Sequence, residues 1–262
     1  MMGVNHATTG AAAWIFLTAS APALTSGIYP VTPVGVFTGA IVCAGAALLP
    51  DADHHNGTIA NSVPFFGRIA AKAIGDASGG HRHGLHSILG IIGVIIGSFL
   101  LDYVKVTTEW FGVLPLGAGL ATMALIAFAA RALKLTKGGW WMPWLFGLAV
   151  ASIIVFFSPT NLQWLPLAIT VGYIVHLFGD AITTEGIAWF WPWKPNPPLW
   201  LQDVPVLNKI WRKSGYFSLP IIGNAGSVRE TILGAACILY IVAALIYEAF
   251  WAFGLDIVQM MT

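Results

Sequence analysis

Long apolar runs separated by short polar breaks dominate the pattern along this chain. A bilayer crossing needs about 20 apolar residues, and the runs approach or reach that length. Seven crossings are predicted, at 8–27, 34–50, 84–104, 113–133, 141–157, 165–183 and 233–253. No Lys or Arg precedes the first run, so we interpret it as a retained helix rather than a signal peptide. The pattern predicts an all-α, polytopic membrane bundle of about seven transmembrane helices, forming a single domain over 1–262.

Two further stretches are predicted to lie along the membrane surface. Residues 64–76 place Arg68 and Lys72 four positions apart among apolar residues, which is typical of an interfacial helix. Residues 189–211 contain five of the twelve tryptophans, and tryptophan prefers the level of the lipid headgroups. Both segments are therefore expected to stay close to the bilayer.

Composition and charge narrow the function classes. The chain is 57% hydrophobic and 9% charged, against roughly 25% charged in soluble domains, which excludes a large soluble catalytic domain. A formal net charge of +1 lacks the basic excess that binds a phosphate backbone, so no nucleic-acid partner is predicted. Eleven of the twelve Lys and Arg residues fall in 51–83, 131–140 and 184–230. The positive-inside rule then predicts a cytoplasmic N-terminus and an external C-terminus.

The topology places all seven histidines at or near the cytoplasmic ends of helices. They are accompanied there by acidic residues in the motifs LLPDADHH at 48–55 and HRHGLHS at 81–87. The predicted metal ligands are His6, Asp51, Asp53, His54, His81, His86, His176 and Asp180. In this interpretation His6 opens the first helix, and His86 lies in the first turn of the third.

His176 and Asp180 give the sharpest local signal. Positions i and i+4 share one helix face about 6 Å apart along the axis, so both side chains can reach one metal ion. Asp180 also lies at the helix end where the dipole repels a carboxylate, a penalty that a bound cation would reverse. The alternative for His176 is a hydrogen bond to a neighbouring helix.

Simpler interpretations stay open elsewhere. LLPDADHH also fits a solvated acidic turn, and HRHGLHS fits a basic cytoplasmic anchor. Ser227 and Glu230 fit a capping box better than a ligand pair. The remaining acidic residues near helix ends are predicted on the opposite side and are not assigned to the site; they are Asp102, Glu109, Glu248 and Asp256.

Eight nitrogen and oxygen ligands without cysteine are typical of catalytic rather than structural zinc sites. The set is too large for one tetrahedral ion, so two or three Zn²⁺ ions are expected, with Mn²⁺ or Fe²⁺ open. Paired ions serve phosphoester hydrolysis by activating water. The predicted catalytic residues are Asp51 or Asp53, which would bridge ions or orient the water, and Arg82, which would balance charge on a phosphate.

The sequence resembles the YdjM family of bacterial inner-membrane, metal-dependent hydrolases. The resemblance rests on LLPDADHH and HRHGLHS, on GYIVHLFGDAITTEGIAWFWPW at 172–193 and on GSVRE at 226–230. The resemblance spans most of the chain and keeps the motif order. It also implies a distant similarity to the zinc-dependent phospholipase C and single-strand nuclease group, whose H-x-x-x-D pattern falls on His176 and Asp180. Leu85 stands where the family pattern leads us to expect Thr.

The expected function is therefore a membrane-bound, phospholipase C-like metal hydrolase that cleaves a phosphoester of a lipid or lipid-linked substrate at the cytoplasmic interface. The alternative is a divalent-metal transporter, or a metal-binding membrane protein without hydrolase activity, although transporters place ligands near the bilayer midplane. A haem protein would need His pairs deep in facing helices. A peptide-bond hydrolase also stays open, without an H-E-x-x-H motif to support it. The sequence leaves the oligomeric state open.

Overall fold

A computed structural model describes residues 1–157 and 162–256 of the chain. It is mostly helical. The helices are α1 (Gly3–Thr18), α2 (Pro33–Ala46), α3 (Thr58–Ser62), α4 (Gly67–Ala77), α5 (Ile88–Leu100), α6 (Leu116–Ala132), α7 (Trp141–Phe157), α8 (Leu165–Ala181), α9 (Leu199–Gln202), α10 (Leu207–Ile210) and α11 (Val228–Ala252). Short 3₁₀ turns cover Leu49–Asp53 and Leu101–Tyr103, and the strands β1 (Val106–Thr108) and β2 (Gly112–Leu114) pair antiparallel. The prediction of an all-α fold is confirmed, with this small hairpin added.

Side-chain caps mark where several of the long helices begin. The Thr32 hydroxyl accepts a hydrogen bond from the N–H of Gly35 at the start of α2, and the Ser87 hydroxyl does the same for Gly90 at the start of α5. Ser227 caps α11 by accepting from the N–H of Glu230 at 3.2 Å. These bonds satisfy backbone donors that have no partner within the first turn. The cap predicted at Ser227 is confirmed.

The core forms where α1, α2, α6 and α8 pack together. α1 contacts α2, α8 and α11, while α2 contacts α6 and α8. Trp14, Ile15 and Ile126 are fully buried in this core. Close helix approach depends on small residues, since a Cβ at Gly45 would collide with the carbonyl of Leu125. Packing therefore fixes α6 against α2.

The structure corrects three of the predicted boundaries. α1 covers Gly3–Thr18 instead of 8–27, so His6 lies inside the helix rather than before it. α5 begins at Ile88 because Ser87 caps it, which leaves the whole HRHGLHS motif in the preceding loop. α11 begins five residues earlier than predicted, at Val228, because Ser227 caps the helix there.

Among the described residues, two helical segments are long and apolar enough to cross a membrane by themselves. They cover Pro33–Asp53, which joins α2 to the following 3₁₀ turn, and Val228–Ala252. The other long apolar helices are shorter, with 10–17 residues. The predicted interfacial helix at 64–76 corresponds to α4, which exposes Ile69 and Lys72. Met260 and Met261, interpreted from the sequence only as tail residues, lie outside the described residues.

Candidate metal centre

Four separate regions of the chain bring His and Asp side chains to one end of the bundle. α1 contributes from its first turns, and α8 contributes from its last two turns. The 3₁₀ turn after α2 and the loop before α5 supply the remaining groups. Three overlapping groups form, in each of which the candidate ligand atoms lie within 4.8 Å of one another. They are His6, Asp51 and His176; Asp51, His81 and His86; and His86, His176 and Asp180.

The centre of the cluster has the dimensions of a tetrahedral metal site. The Nε2 atoms of His86 and His176 face each other at 3.1 Å. Asp51 Oδ1 lies 3.7 Å from both nitrogens, and Asp180 Oδ2 lies 3.6 Å from both. Four ligands about 2.0–2.2 Å from a tetrahedral zinc ion would lie about 3.3–3.6 Å from one another. Five of the six distances among these four atoms are 3.1–3.7 Å, which is close to the spacing that one such ion requires.

A backbone carbonyl sets the tautomer of His176. Its Nδ1 lies 2.7 Å from the carbonyl oxygen of Ala47, which can only accept a hydrogen bond. Nδ1 therefore carries the proton, and the lone pair of Nε2 points into the cluster. A histidine held in this way by a carbonyl is the usual arrangement behind a metal ligand.

Asp180 faces two sides of the cluster with its two oxygens. Oδ2 faces His86 and His176, whereas Oδ1 lies 3.2 Å from Nε2 of His6 and pairs with the amino group of Met1. The rings of His6 and His176 stack with centroids 3.7 Å apart. This carboxylate therefore connects the His86 and His176 pair with His6 and the Met1 amino group.

Asp53 and His81 form the more open side. Asp53 Oδ1 lies 2.8 Å from Nδ1 of His81, and Asp53 Oδ2 lies 3.6 Å from Nδ1 of His86. The His81 and Asp51 side chains keep 35% and 20% of their surface exposed, whereas those of His86 and Asp53 are fully buried. The cluster is therefore more accessible to solvent on the side of Asp51 and His81.

Arg82 reaches the cluster with a mostly buried guanidinium. Its Nη2 lies 3.4 Å from Asp180 Oδ2, and its Nη1 lies 3.1 Å from Glu185 and donates to the carbonyl of Gly186. The residue has a positive φ of 65°, a conformation that non-glycine residues seldom adopt. The chain thus turns sharply at Arg82 and directs its charge toward Asp180.

The electrostatics of the loop before α5 favour a positive charge beside the carboxylates. Burial alone would lower the pKa of His86, but the neighbouring Asp51 and Asp53 carboxylates and the charge of Asp180 outweigh it and raise the pKa to about 9. By contrast, burial and the charge of Lys194 lower the pKa of His83. The same carboxylates would attract a divalent cation.

The predicted ligands are brought together unequally. Six of the eight belong to the three groups above, and Asp53 contacts two of those six. The His54 ring meets the His81 ring edge-on, with centroids 4.6 Å apart, while its Nδ1 accepts from the N–H of Asn56. Within the described residues, His54 joins none of the three groups. Nitrogen and oxygen donors at these spacings fit zinc, and also the other divalent metals that accept imidazole and carboxylate.

Sequence reasoning missed several groups that support the cluster. The Ala47 carbonyl has no sequence signal, because every residue carries one. Glu185, which is 70% exposed at the side chain, pairs with Arg82 through the turn after α8. Tyr216 lies far along the chain and its hydroxyl is 3.1 Å from Nε2 of His83. The turn composition TTEG after Asp180 could have directed attention to Glu185.

Comparison with known proteins decides the family. The model of the YdjM inner membrane protein family matches residues 1–253. The chain belongs to the YdjM inner membrane protein family. The YdjM match includes every member of the His and Asp cluster and supports a location in the inner membrane. No curated protein and no solved structure matches the chain.

Proposed function

We propose that this YdjM-family chain is a membrane-bound, metal-dependent hydrolase that cleaves a phosphoester of a lipid or lipid-linked substrate. The spacing of the four central atoms, from Asp51, His86, His176 and Asp180, carries this proposal. The two adjoining groups would accommodate a second or third ion, with Zn²⁺ preferred for the many imidazoles. Bound divalent ions would supply Lewis acidity and activate water for attack on phosphorus.

The protein groups have separate roles in this proposal. Asp51 lies on the exposed side and can accept a proton from water or orient it toward a phosphate. Arg82 is held at 3.4 Å from Asp180 by Glu185 and the Gly186 carbonyl, where it can balance charge on the phosphate oxygens. Because His86 and Asp180 are buried, water would compete little with the phosphate for contacts with these side chains and Arg82.

An apolar groove next to the cluster favours a lipid substrate. It has a volume of about 640 Å³, within the roughly 300–1,000 Å³ typical of small-molecule sites. Ala52 lies between Asp51 and Asp53 on one wall, and Leu85 precedes His86 on another. The groove continues along α5, where a Cβ at Gly93 would meet nothing within 4 Å. A hydrocarbon chain in the groove would bring its headgroup to the level of the cluster.

The proposed membrane arrangement has seven crossings, formed by α1, α2, α5, α6, α7, α8 and α11. Their order alternates direction, and the cluster lies at the predicted cytoplasmic end. Cys labelling tests this orientation, with Asn56→Cys in intact cells and in inverted vesicles. Label reaching position 56 only in inverted vesicles is expected, whereas labelling of intact cells by an impermeant reagent would contradict a cytoplasmic centre.

The alternative function is divalent-metal transport, and the packing of the helices disfavours it. An ion that left the cluster along α1 would meet the core around Trp14, Ile15 and Ile126, whose side chains are fully buried and apolar. The three ligand groups found among the described residues share one end of the bundle. A transport path would instead need ligands near the midplane.

Metal content is the first test. Wild-type protein and the His86→Ala and His176→Ala variants are purified without chelator and analysed by mass spectrometry for metals. His55→Ala is the matched control, because His55 is an exposed histidine beside His54. We expect at least two zinc equivalents in wild type and control, with loss in both cluster variants. Metal-free wild type would overturn the metal centre.

Hydrolysis is tested next with two probes, a soluble nitrophenyl phosphodiester and a fluorogenic phospholipid in mixed micelles. Zinc-loaded wild type is expected to cleave the phospholipid faster, and Gly93→Trp to slow the phospholipid reaction selectively. Ile96→Trp, on an exposed face of α5, is the control for this substitution. A zinc-loaded protein that cleaves neither probe would reduce the function to metal binding.

A further inference from the structure

The two aspartates of the LPDAD turn have different surroundings although one residue separates them. Asp51 Oδ1 faces the Nε2 atoms of His86 and His176, at 3.7 Å from each. Asp53 instead faces Nδ1 atoms, at 2.8 Å from His81 and 3.6 Å from His86. The two carboxylates therefore lie on opposite sides of the His86 ring.

Unpaired atoms support a link between Asp53 and His86. Asp53 Oδ2 and His86 Nδ1 are both buried, and neither has a hydrogen-bond partner among the described residues. They lie 3.6 Å apart, so an approach of about half an ångström would bring them to a normal hydrogen-bond distance. A buried carboxylate oxygen and a buried imidazole nitrogen that remain unpaired both cost free energy, which favours this approach.

Asp53 would give its two histidines the same orientation that Ala47 gives to His176. A carboxylate only accepts, so each ring that it contacts donates through Nδ1–H and leaves the Nε2 lone pair free. For His86 that lone pair faces Asp51, His176 and Asp180. One buried carboxylate thus sets the tautomer of a buried ring and of the more exposed His81 ring.

We propose that Asp53 is a positioning residue that holds His81 and His86 with Nε2 toward the metal, and that Asp51 is the ligand of the pair. This inference rests on the metal centre proposed above. It changes the expectation that Asp53 would itself bind a metal ion. It also couples the orientations of the two imidazole rings, because both rings contact the same carboxylate.

The test compares zinc affinity and Co²⁺ absorption for Asp51→Asn, Asp53→Asn and Asp53→Ala in detergent. Asp76→Asn, at an exposed position of α4, controls for the loss of one negative charge. An asparagine at 53 keeps one acceptor oxygen, so Asp53→Asn is expected to weaken zinc binding by about 10- to 100-fold. Its Co²⁺ visible bands should keep their position, and Asp53→Ala should bind more weakly still.

For Asp51→Asn we expect a greater loss of affinity together with shifted Co²⁺ bands, because an anionic ligand is replaced. Equal losses and equally shifted bands for both asparagine variants would make Asp53 a ligand and overturn only this inference. Unchanged affinity in Asp53→Asn would also overturn it. A wild type that binds neither metal would overturn the metal centre itself, and the role of Asp53 with it.

Discussion

The two ends of α1 are held by α11 in the same way, yet among the described residues only the His6 end carries a candidate site. Glu230 accepts hydrogen bonds from the N–H of Met2 at 2.5 Å and from the Asn5 amide at 2.7 Å. Glu248 accepts from the N–H and hydroxyl of Ser20, at 3.0 and 2.7 Å, and from the N–H of Ala21 at 2.9 Å. Both glutamates are fully buried.

The difference lies in what surrounds each carboxylate. The Glu248 and Glu230 carboxylates accept hydrogen bonds from neutral donors, mostly in the segments at the two ends of α1. Their oxygens are therefore not free to bind a cation. Asp180 instead faces three imidazoles and a guanidinium, and it lies where other carboxylates converge. A buried carboxylate in this chain is therefore an anchor where backbone donors surround it, and a candidate ligand where imidazoles do.

The largest contrast is expected from removing the central carboxylate. Asp180→Ala takes away the oxygens that face His6, His86 and His176, and we expect zinc affinity to fall by at least about 100-fold, or about 3 kcal/mol. Competition with a zinc indicator measures the change. Wild-type zinc affinity in Asp180→Ala would mean that Asp180, like Glu248, anchors the helices and binds no metal ion.

Glu248→Ala tests the opposite end. Two backbone N–H groups and the Ser20 hydroxyl would lose their acceptor, at about 1–3 kcal/mol for a buried unsatisfied group. We expect a melting temperature lower by several degrees in detergent, with zinc affinity of the folded protein unchanged. Thermal unfolding with and without zinc separates the two effects. Loss of zinc together with stability would show that the ends are coupled.

The sequence predicts the His and Asp cluster better than the residues that hold its helices in place. The i, i+4 spacing of His176 and Asp180 reports directly on a shared helix face, and the prediction of all-α structure needs only the apolar runs. The sequence predicts Glu248 on the side opposite the histidines but gives it no role, because a single Glu in a helix does not reveal its partners. The anchoring of α1 depends on how two helices distant in sequence pack together.

The boundary errors have a related cause. The apolar pattern continues through Ala19 and Ala21, so it predicts a longer first helix. The helix ends at Thr18 because Glu248 binds the next N–H groups in an extended turn. Hydrophobicity alone does not report such a tertiary acceptor.

Glu230→Gln is expected to have an intermediate effect. Glutamine keeps one acceptor oxygen but replaces the other with a donor, so the contacts with Met2 and Gly226 cannot both persist. Because His6 lies one turn further along α1, we expect zinc affinity to fall about tenfold through poorer positioning. Glu248→Gln is the matched control, with a similar stability loss and unchanged zinc affinity. Equal zinc affinities in the two variants would reduce Glu230 to an anchor alone.

The smallest effect is expected from the cap of α11. Ser227→Ala removes the hydroxyl that accepts from the N–H of Glu230 and donates to the carbonyl of Ile222. Loss of an N-cap costs about 1 kcal/mol, so the melting temperature should fall by a few degrees. Glu230 keeps its bonds to Met2 and Asn5, and zinc affinity should stay within about twofold of wild type. A tenfold loss of zinc affinity in Ser227→Ala would show that the start of α11, and not the Glu230 carboxylate by itself, positions His6.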